Sequence, residues 1–226
     1  MLPYLPETVA EAIAALLDEA AFARGRASLA IPGGRSPGPV LTALAGCLSP
    51  FVRARLDLLW LDERAVPLGH PERNDAPTLA AWAAGGALPA RVHPMPAESA
   101  DLDAAAAAYT ATLHAATGGG PLDVCLVGIG EDGHFASLFP DHPGLGELAE
   151  VFAIHDSPKP PAGRLTIGLG PLSQARRLVI LALGAAKGEI ARRAWTGPDR
   201  AIPVSLLPAA KCVWYLDDAA AAVARR

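Results

Sequence analysis

The chain has 226 residues, of which 51% are hydrophobic and 19% are charged, and its formal net charge is −4. A sequence of this length and apolar content can bury a large core, which excludes a disordered chain. The negative net charge argues against a nucleic-acid-binding protein, since such proteins usually present a basic face, whereas a small phosphorylated ligand needs only a few local cations.

Apolar periodicity predicts helices and strands in alternation along the whole chain. The predicted helices span 7–24, 39–48, 76–84, 102–116, 185–195 and 217–225, and the predicted strands span 28–31, 56–61, 123–128, 151–155, 165–169, 178–183 and 213–216. Short strands rich in Val, Leu and Ile between helices indicate an α/β fold: a Rossmann-like, doubly wound, mainly parallel sheet with helices on both faces. No long repeat or linker divides the chain, so residues 1–226 are expected to form one domain.

The cysteines and the termini bear on where the protein resides. Cys47, Cys125 and Cys212 are odd in number, widely spaced and set among apolar neighbours, which is typical of reduced thiols and not of a disulfide framework or a metal site. The N-terminus lacks the basic region of a signal peptide, and no window offers the roughly 20 apolar residues that a membrane span needs. We expect a cytoplasmic protein with no membrane or nucleic-acid partner; its oligomeric state stays open, with a monomer favoured.

Ligands of parallel α/β sheets bind beyond the carboxyl ends of the strands, and the first candidate segment lies there. It is the loop Gly33-Gly34-Arg35-Ser36, between a predicted strand and a predicted helix. Free backbone N–H groups and the positive end of the helix dipole favour an anion, while Ser36 adds a hydroxyl donor and Arg35 a charge. The alternative is an ordinary turn punctuated by glycine and proline.

The second segment is Asp62-Glu63-Arg64, again at the end of a predicted strand, with Arg73-Asn74 following in a polar stretch. Arg64 could clamp a phosphate by paired hydrogen bonds. Equally, the three charged residues could form a solvated, mutually paired loop.

The third segment, Gly128-Ile129-Gly130-Glu131-Asp132-Gly133-His134, follows a buried predicted strand. A glycine turn, an imidazole and a carboxylate that can orient it are what a general base needs. In isolation, His134 could instead be a histidine satisfied by the backbone.

Two other functions of this turn are disfavoured. It formally satisfies the dinucleotide motif G-x-G-x-x-G, but Pro140 and Pro143 break the helix that such a site needs, and the adjacent carboxylates would face a pyrophosphate. A metal pair of His134 with His142 lacks a compact ligand spacing.

The fourth segment pairs Arg164, which opens a predicted strand, with Lys187, in the first turn of a predicted helix. A lysine is unfavourable at the positive end of a helix dipole, so either a bound anion offsets it or it points to solvent. We favour the anion, with Arg164 converging on it.

Together the four segments resemble the 6-phosphogluconolactonase family, which shares a superfamily with glucosamine-6-phosphate deaminase. The resemblance spans nearly the whole chain, and its most specific part runs from Gly128 to Pro140. Phe135 departs from that signature, where threonine is more common, and Arg35 stands where many members carry serine. The supporting matches are Asp62-Glu63-Arg64 with Asn74, Arg164 with Thr166, Gly184 with Lys187, and Pro203-Val204-Ser205.

The resemblance implies hydrolysis of 6-phospho-D-glucono-1,5-lactone in the oxidative pentose phosphate pathway, without a cofactor or a metal. It implies that His134 acts on the lactone, oriented by Asp132, and that Arg64, Arg164 and Lys187 hold the phosphate or its neighbouring oxygens. The other predicted substrate-binding residues are Gly33, Gly34, Arg35, Ser36 and Gly133.

Two alternatives stay open. The deaminase relatives use a glutamate shortly after the histidine, where this chain has Phe139, which cannot relay a proton. A non-catalytic sugar-phosphate sensor would keep the same pocket, but such modules usually carry a nucleic-acid-binding element that the sequence does not show.

Overall fold

A seven-stranded parallel sheet forms the centre of the computed structural model, which describes residues 1–226. Its strands are β1 Leu2–Pro3, β2 Ala27–Ile31, β3 Leu56–Trp60, β5 Arg91–His93, β6 Val124–Gly128, β9 Arg177–Ala182 and β10 Cys212–Leu216. They lie in the order β1-β10-β9-β6-β2-β3-β5, and every neighbouring pair is parallel. The predicted α/β class with a mainly parallel sheet is therefore confirmed.

Eight α-helices accompany the sheet. They are α1 Pro6–Arg24, α2 Gly38–Cys47, α3 Pro50–Arg53, α4 Asp75–Gly85, α5 Leu102–Thr117, α6 Leu169–Gln174, α7 Ala185–Ala194 and α8 Asp218–Ala224. Each predicted helix matches its observed counterpart to within one residue at either end. Capping explains several ends: Asp101 and Asp217 accept N–H groups of the first turns of α5 and α8, and Gly25 ends α1 with φ 70°.

Three short strands form a second, antiparallel sheet: β4 Asp62–Arg64, β7 Val151–Ile154 and β8 Arg164–Ile167, in the order β4-β8-β7. Two of the predicted strands therefore lie outside the main sheet. The predicted strand 165–169 is also wrong at its end, because Leu169 begins α6. In this sheet Arg64 lies directly opposite Arg164, so two arginines distant in sequence meet.

The core lies between these layers. Sixty-one buried residues form one contiguous hydrophobic cluster, and α5 packs against β2 and β3 of the main sheet and against β7 and β8 of the small one. β2 and β3 are buried along their whole length, because a parallel sheet covered on both faces has no solvent side. Among the helices, none combines the length and the apolarity that a bilayer crossing requires.

Helices α7 and α8 cross at a glycine. A Cβ on Gly188 would lie 2.2 Å from the carbonyl oxygen of Ala220, so no side chain fits between the two backbones. Gly188 follows Lys187 directly, and the close crossing thereby fixes the first turn of α7 beside the turn that carries His134.

Gly188→Ala is expected to lower the free energy of unfolding by about 2 kcal/mol or more, because the helices must separate and lose packing. This loss opposes the gain of about 0.5–1 kcal/mol that alanine brings to a helix interior. Gly170→Ala in α6 is the matched control, since a Cβ there meets nothing within 4 Å. Urea unfolding of both variants checks this, and equal stabilities would contradict the close crossing.

Candidate active site

A cavity of about 240 Å³ opens beyond the carboxyl ends of β2, β3 and β6. Residues from all four predicted segments line it: Gly33, Gly34, Arg35, Ser36, Asp62, Arg64, Asn74, Gly128, Ile129, Gly130, His134, Ala136 and Arg164, among others. Three of these are arginines and only Asp62 is acidic, so the cavity favours an anion in a chain whose net charge is negative.

The loop before α2 offers backbone donors to this cavity. The N–H groups of Gly33, Gly34, Arg35 and Ser36 have no hydrogen-bond partner within the protein. A Cβ on Gly33 would lie 1.7 Å from the side-chain oxygen of Asn74, so only glycine fits where this loop crosses Asn74. The unpaired N–H groups and the start of α2 supply the anion-binding features that the sequence predicts.

The second segment is not a solvated loop, and that alternative is wrong. Glu63 is fully buried, and its carboxylate accepts the N–H groups of Arg64, Asn74 and Asp75 at 2.7–3.0 Å. Burial raises the pKa of Glu63, and the hydrogen bonds from Asn74 and Arg64 partly counteract the rise. Arg73, 4.0 Å from Glu63, is itself buried and pairs with Asp75.

Asn74 and Asp62 connect this network to the histidine turn. The Asn74 amide donates to the backbone oxygen of Asp62 at 3.0 Å. The Asp62 carboxylate accepts the hydroxyl of Ser137 at 2.7 Å, and the N–H of Ser137 donates to Thr166. The residues that follow His134 are therefore held by β4 and β8. Ala136, which lines the cavity, is kept at φ 48°, a conformation that non-glycine residues rarely adopt.

The arginines differ in how firmly they are held. Arg164 is buried, donates to the carbonyls of Lys159, Pro160 and Pro161, and lies 3.9 Å from Asp62. Burial lowers the pKa of Arg164, and Asp62 opposes the effect. Arg64 binds the carbonyl of Glu72 at 2.6 Å, whereas Arg35 is exposed and bonds to no protein group.

His134 lines the cavity and keeps one ring nitrogen without a partner. Its Nδ1 lies in hydrogen-bond contact with Asp132 Oδ1, and its Nε2 has no protein partner. A Cβ on Gly130 would lie 2.0 Å from Nδ1, so the imidazole occupies space that only glycine leaves free. If Nδ1–H donates to Asp132, then Nε2 carries the lone pair and can accept a proton.

Phe139 packs close to both the imidazole and the buried arginine. Its ring lies 5.0 Å from the His134 ring and 5.5 Å from Cζ of Arg164. The histidine and the cation therefore both lie next to one aromatic ring, and both line the cavity.

Lys159 is a site residue that sequence reasoning missed. Its Nζ lies 2.6 Å from Asp132 Oδ2 and 3.1 Å from His134 Nδ1. Burial raises the pKa of Asp132, but the hydrogen bonds from His134 and Lys159 outweigh it and hold that pKa well below its usual range. One signal was present: the chain has only three lysines, and two of them, Lys159 and Lys187, lie at this site.

Lys187 and Gly133 do not line the cavity. Lys187 lies in the first turn of α7 as predicted, but its ammonium donates to the carbonyl of Ile129 at 2.6 Å, and burial lowers its pKa. The backbone N–H groups at the start of α7 are already partly paired within the protein, because the N–H of Gly184 donates to Asp217. Arg164 therefore lines the cavity, whereas Lys187 does not. Gly133, at φ 84°, lets the turn pack against Ile202.

The structure does not support the other two functions considered for the glycine turn, a dinucleotide site and a metal site. Only a 3₁₀ helix, Pro143–Gly146, follows the glycine turn, as the prolines predict, so the long helix of a dinucleotide site is lacking. His142 pairs with Asp156, and no group of three or more His, Cys, Asp or Glu side chains converges as metal ligands would.

The fold and the site define an α/β protein with an anion pocket beside an aspartate–histidine pair. The family model of glucosamine-6-phosphate isomerases/6-phosphogluconolactonase matches residues 4–214. A 6-phosphogluconolactonase of Streptomyces coelicolor is 41% identical, over 95% of this chain and 90% of that protein, and one of Homo sapiens is 33% identical, over 96% and 87%. The chain belongs to the glucosamine-6-phosphate isomerase/6-phosphogluconolactonase family.

Solved structures share the fold. The 6-phosphogluconolactonase of Thermotoga maritima superposes with a TM-score of 0.85 at 23% identity, covering 96% of this chain and 97% of the other. A monomeric glucosamine-6-phosphate deaminase superposes with a TM-score of 0.74 at 19% identity, covering 96% and 95%. Because both branches have this fold, the side chains of the site must distinguish them.

The low pKa of Asp132 gives a stability prediction. Its folded value lies below the unfolded value of about 3.9, so its stabilisation is present above that pH and is lost as the pH falls through the folded value. Asp132→Asn should therefore be less stable than the parent chain at pH 7, by at most about 1 kcal/mol since the side chain is partly solvated, and this difference should shrink toward pH 3. Urea unfolding at both pH values measures it; a difference that grows on acidification would contradict the assignment.

Proposed function

We propose that the chain hydrolyses 6-phospho-D-glucono-1,5-lactone to 6-phospho-D-gluconate, with His134 as the general base that activates water. The observation that carries the proposal is the position of His134: Asp132 engages Nδ1, and Nε2 is left free in a cavity lined by Arg35, Arg64 and Arg164. The relatives at 41% and 33% identity bear the lactonase name, which supports the same reaction.

The phosphate binds at the loop before α2. The unpaired N–H groups of that loop, the Ser36 hydroxyl and Arg35 supply donors, and Arg64 and Arg164 approach from the small sheet. Lys187 acts at the margin of this site, since Ile129, whose carbonyl it binds, lines the cavity. Bound there, the substrate places its ring ester next to His134.

Hydrolysis then needs one proton to move twice. Nε2 of His134 removes a proton from water, and the water oxygen attacks the lactone carbonyl to form a tetrahedral oxyanion. The carbonyl re-forms as the bond to the ring oxygen breaks, and His134 returns the proton to that oxygen. Asp132 stays ionised, orients the imidazole and stabilises the imidazolium between the two transfers.

Deamination of glucosamine 6-phosphate is the competing reaction within the family. Its ring-opening glutamate is replaced here by Phe139, which is almost fully buried and packs on the His134 ring. Without an ionisable group at that position, the site lacks a proton relay for ring opening. Two assays separate these functions from a non-catalytic sensor. A lactonase releases acid from the lactone above the spontaneous rate, a deaminase releases ammonia from glucosamine 6-phosphate, and a sensor does neither.

The proposed enzyme works on a small phosphorylated lactone without a metal or a cofactor, and as a single chain. Cys47, Cys125 and Cys212 are unpaired, which supports a location in the reducing cytoplasm.

His134→Ala is expected to lower kcat by about 10²- to 10⁴-fold, because that is the usual contribution of a general base. The variant should still bind 6-phosphogluconate, since the phosphate donors remain in place. Stopped-flow assay of acid release measures the first effect and calorimetry the second.

His114→Ala is the matched control for this experiment. His114 also pairs with a carboxylate, Glu150, but lies on the exposed end of α5. Its replacement should leave kcat unchanged. Near-normal turnover by the folded His134 variant would remove His134 from the mechanism.

Arg64→Met is expected to raise KM by about tenfold or more with a smaller effect on kcat, because one charge-assisted hydrogen bond is worth about 1.5–3 kcal/mol. Arg177→Met, at the opposite end of the sheet, is the control. Initial rates across lactone concentrations give both constants. An unchanged KM in the Arg64 variant would argue against its contact with the phosphate.

A further inference from the structure

Lys159 lies behind the histidine and not in the cavity. Its ammonium touches both members of the aspartate–histidine pair, Asp132 Oδ2 at 2.6 Å and His134 Nδ1 at 3.1 Å. An ammonium can only donate hydrogen bonds, so it competes with the Nδ1–H for the negative charge of Asp132. The three groups form a compact cluster in which the positively charged ammonium lies beside Nδ1 of the imidazole.

The backbone of Lys159 is fixed, although its side chain is partly exposed. Arg164 donates to the carbonyls of Lys159 and Pro160, and the Ser157 hydroxyl donates to the Lys159 carbonyl at 2.8 Å. The N–H of Ser157 in turn donates to Ala162, which closes the loop. The buried arginine that borders the anion cavity therefore also positions this lysine.

The charge of Lys159 bears on both proton transfers. A bare carboxylate beside Nδ1 would stabilise the imidazolium strongly, which helps His134 take a proton from water but hinders its return to the leaving oxygen. A cation 3.1 Å from the same nitrogen opposes this stabilisation, and its ion pair with Asp132 reduces the net charge that the ring meets.

Other charged groups do not replace Lys159 at Nδ1. Arg164 donates to backbone carbonyls of residues 159–161, and Lys187 is bound to the carbonyl of Ile129. Glu131 and Asp132 are the acidic side chains near the two lysines, and of these only Asp132 contacts the imidazole. Lys159 is thus the one cation in direct contact with the proposed base.

We propose that Lys159 is a positioning residue: its ammonium, shared between Asp132 and His134, keeps the imidazole neutral before catalysis and makes its imidazolium a ready proton donor to the leaving ring oxygen. This inference rests on the proposed role of His134. The residue acts through Asp132 and His134 and does not touch the substrate.

Lys159→Met removes the charge and keeps the length of the side chain. It should lower kcat at pH 7 by about tenfold, the value of roughly one hydrogen bond to a charged group, and leave KM within about twofold. Lys159→Arg restores a positive charge and should recover most of the lost turnover. Lys211→Met, whose lysine binds carbonyls at the end of α6, is the control and should behave as the parent chain does.

Nitrogen-15 NMR of histidine-labelled protein gives a second readout that needs no substrate. The Lys159→Met variant should show a larger imidazolium fraction of His134 at pH 7 than the parent chain and the Lys159→Arg variant. A structural role alone would not produce this change.

Several results would overturn the proposal: unchanged kcat in Lys159→Met, a raised KM with normal kcat, equal losses in the Met and Arg variants, or an unchanged imidazolium fraction. If the parent chain does not turn over the lactone, the proposed function fails, whereas the NMR comparison still reports whether Lys159 controls the imidazole.

Discussion

The buried carboxylate of Glu63 is the interaction on which the arrangement of the site depends. It accepts three backbone N–H groups, from Arg64, Asn74 and Asp75, and thereby ties the strand β4 to the start of α4. Leaving a buried hydrogen-bonding group without its partner costs about 1–3 kcal/mol, and more when the group is charged. This cost keeps the two ends of the intervening loop in one arrangement.

From that point, polar contacts lead to the side of the cavity where His134 lies. Asn74 lies against Gly33, in the loop before α2, and donates a hydrogen bond to Asp62. The Asp62 carboxylate in turn binds Ser137, three residues beyond the proposed base. The loops that line the cavity therefore follow strands of the main sheet, and the small antiparallel sheet sets the distances between these loops. The same small sheet places Arg64 opposite Arg164, where Asp62, 3.9 Å from Arg164, relieves the repulsion between the two guanidinium groups.

The sequence predicts six of the eight helices and five of the seven strands of the main sheet, because long apolar periodicities act locally, whereas the short elements β1, β5, α3 and α6 carry no such pattern. It also predicts that the loop before α2 and His134 lie at one cavity, since ligands of such sheets bind beyond the carboxyl ends of the strands. The antiparallel sheet is not predictable in this way: β4 has three residues and β8 four, too few for a pattern to reveal the partner. Lys159 escapes prediction because a contact from Arg164 to backbone carbonyls, and not a motif, brings it to the site. Lys187 is predicted in its helix but not in its contact, since the sequence does not show that Ile129 offers its carbonyl.

The main sheet is bounded by its two shortest strands. The outer strand β1 has two residues, one of them a proline, and β5 on the opposite side has three. A long, flat outer strand would present a row of unpaired backbone groups to which another molecule could add its own strand. Here those rows are only a few residues long, and Pro3 lacks an N–H. The protein is thus protected from edge-to-edge aggregation even though more than half of its residues are hydrophobic.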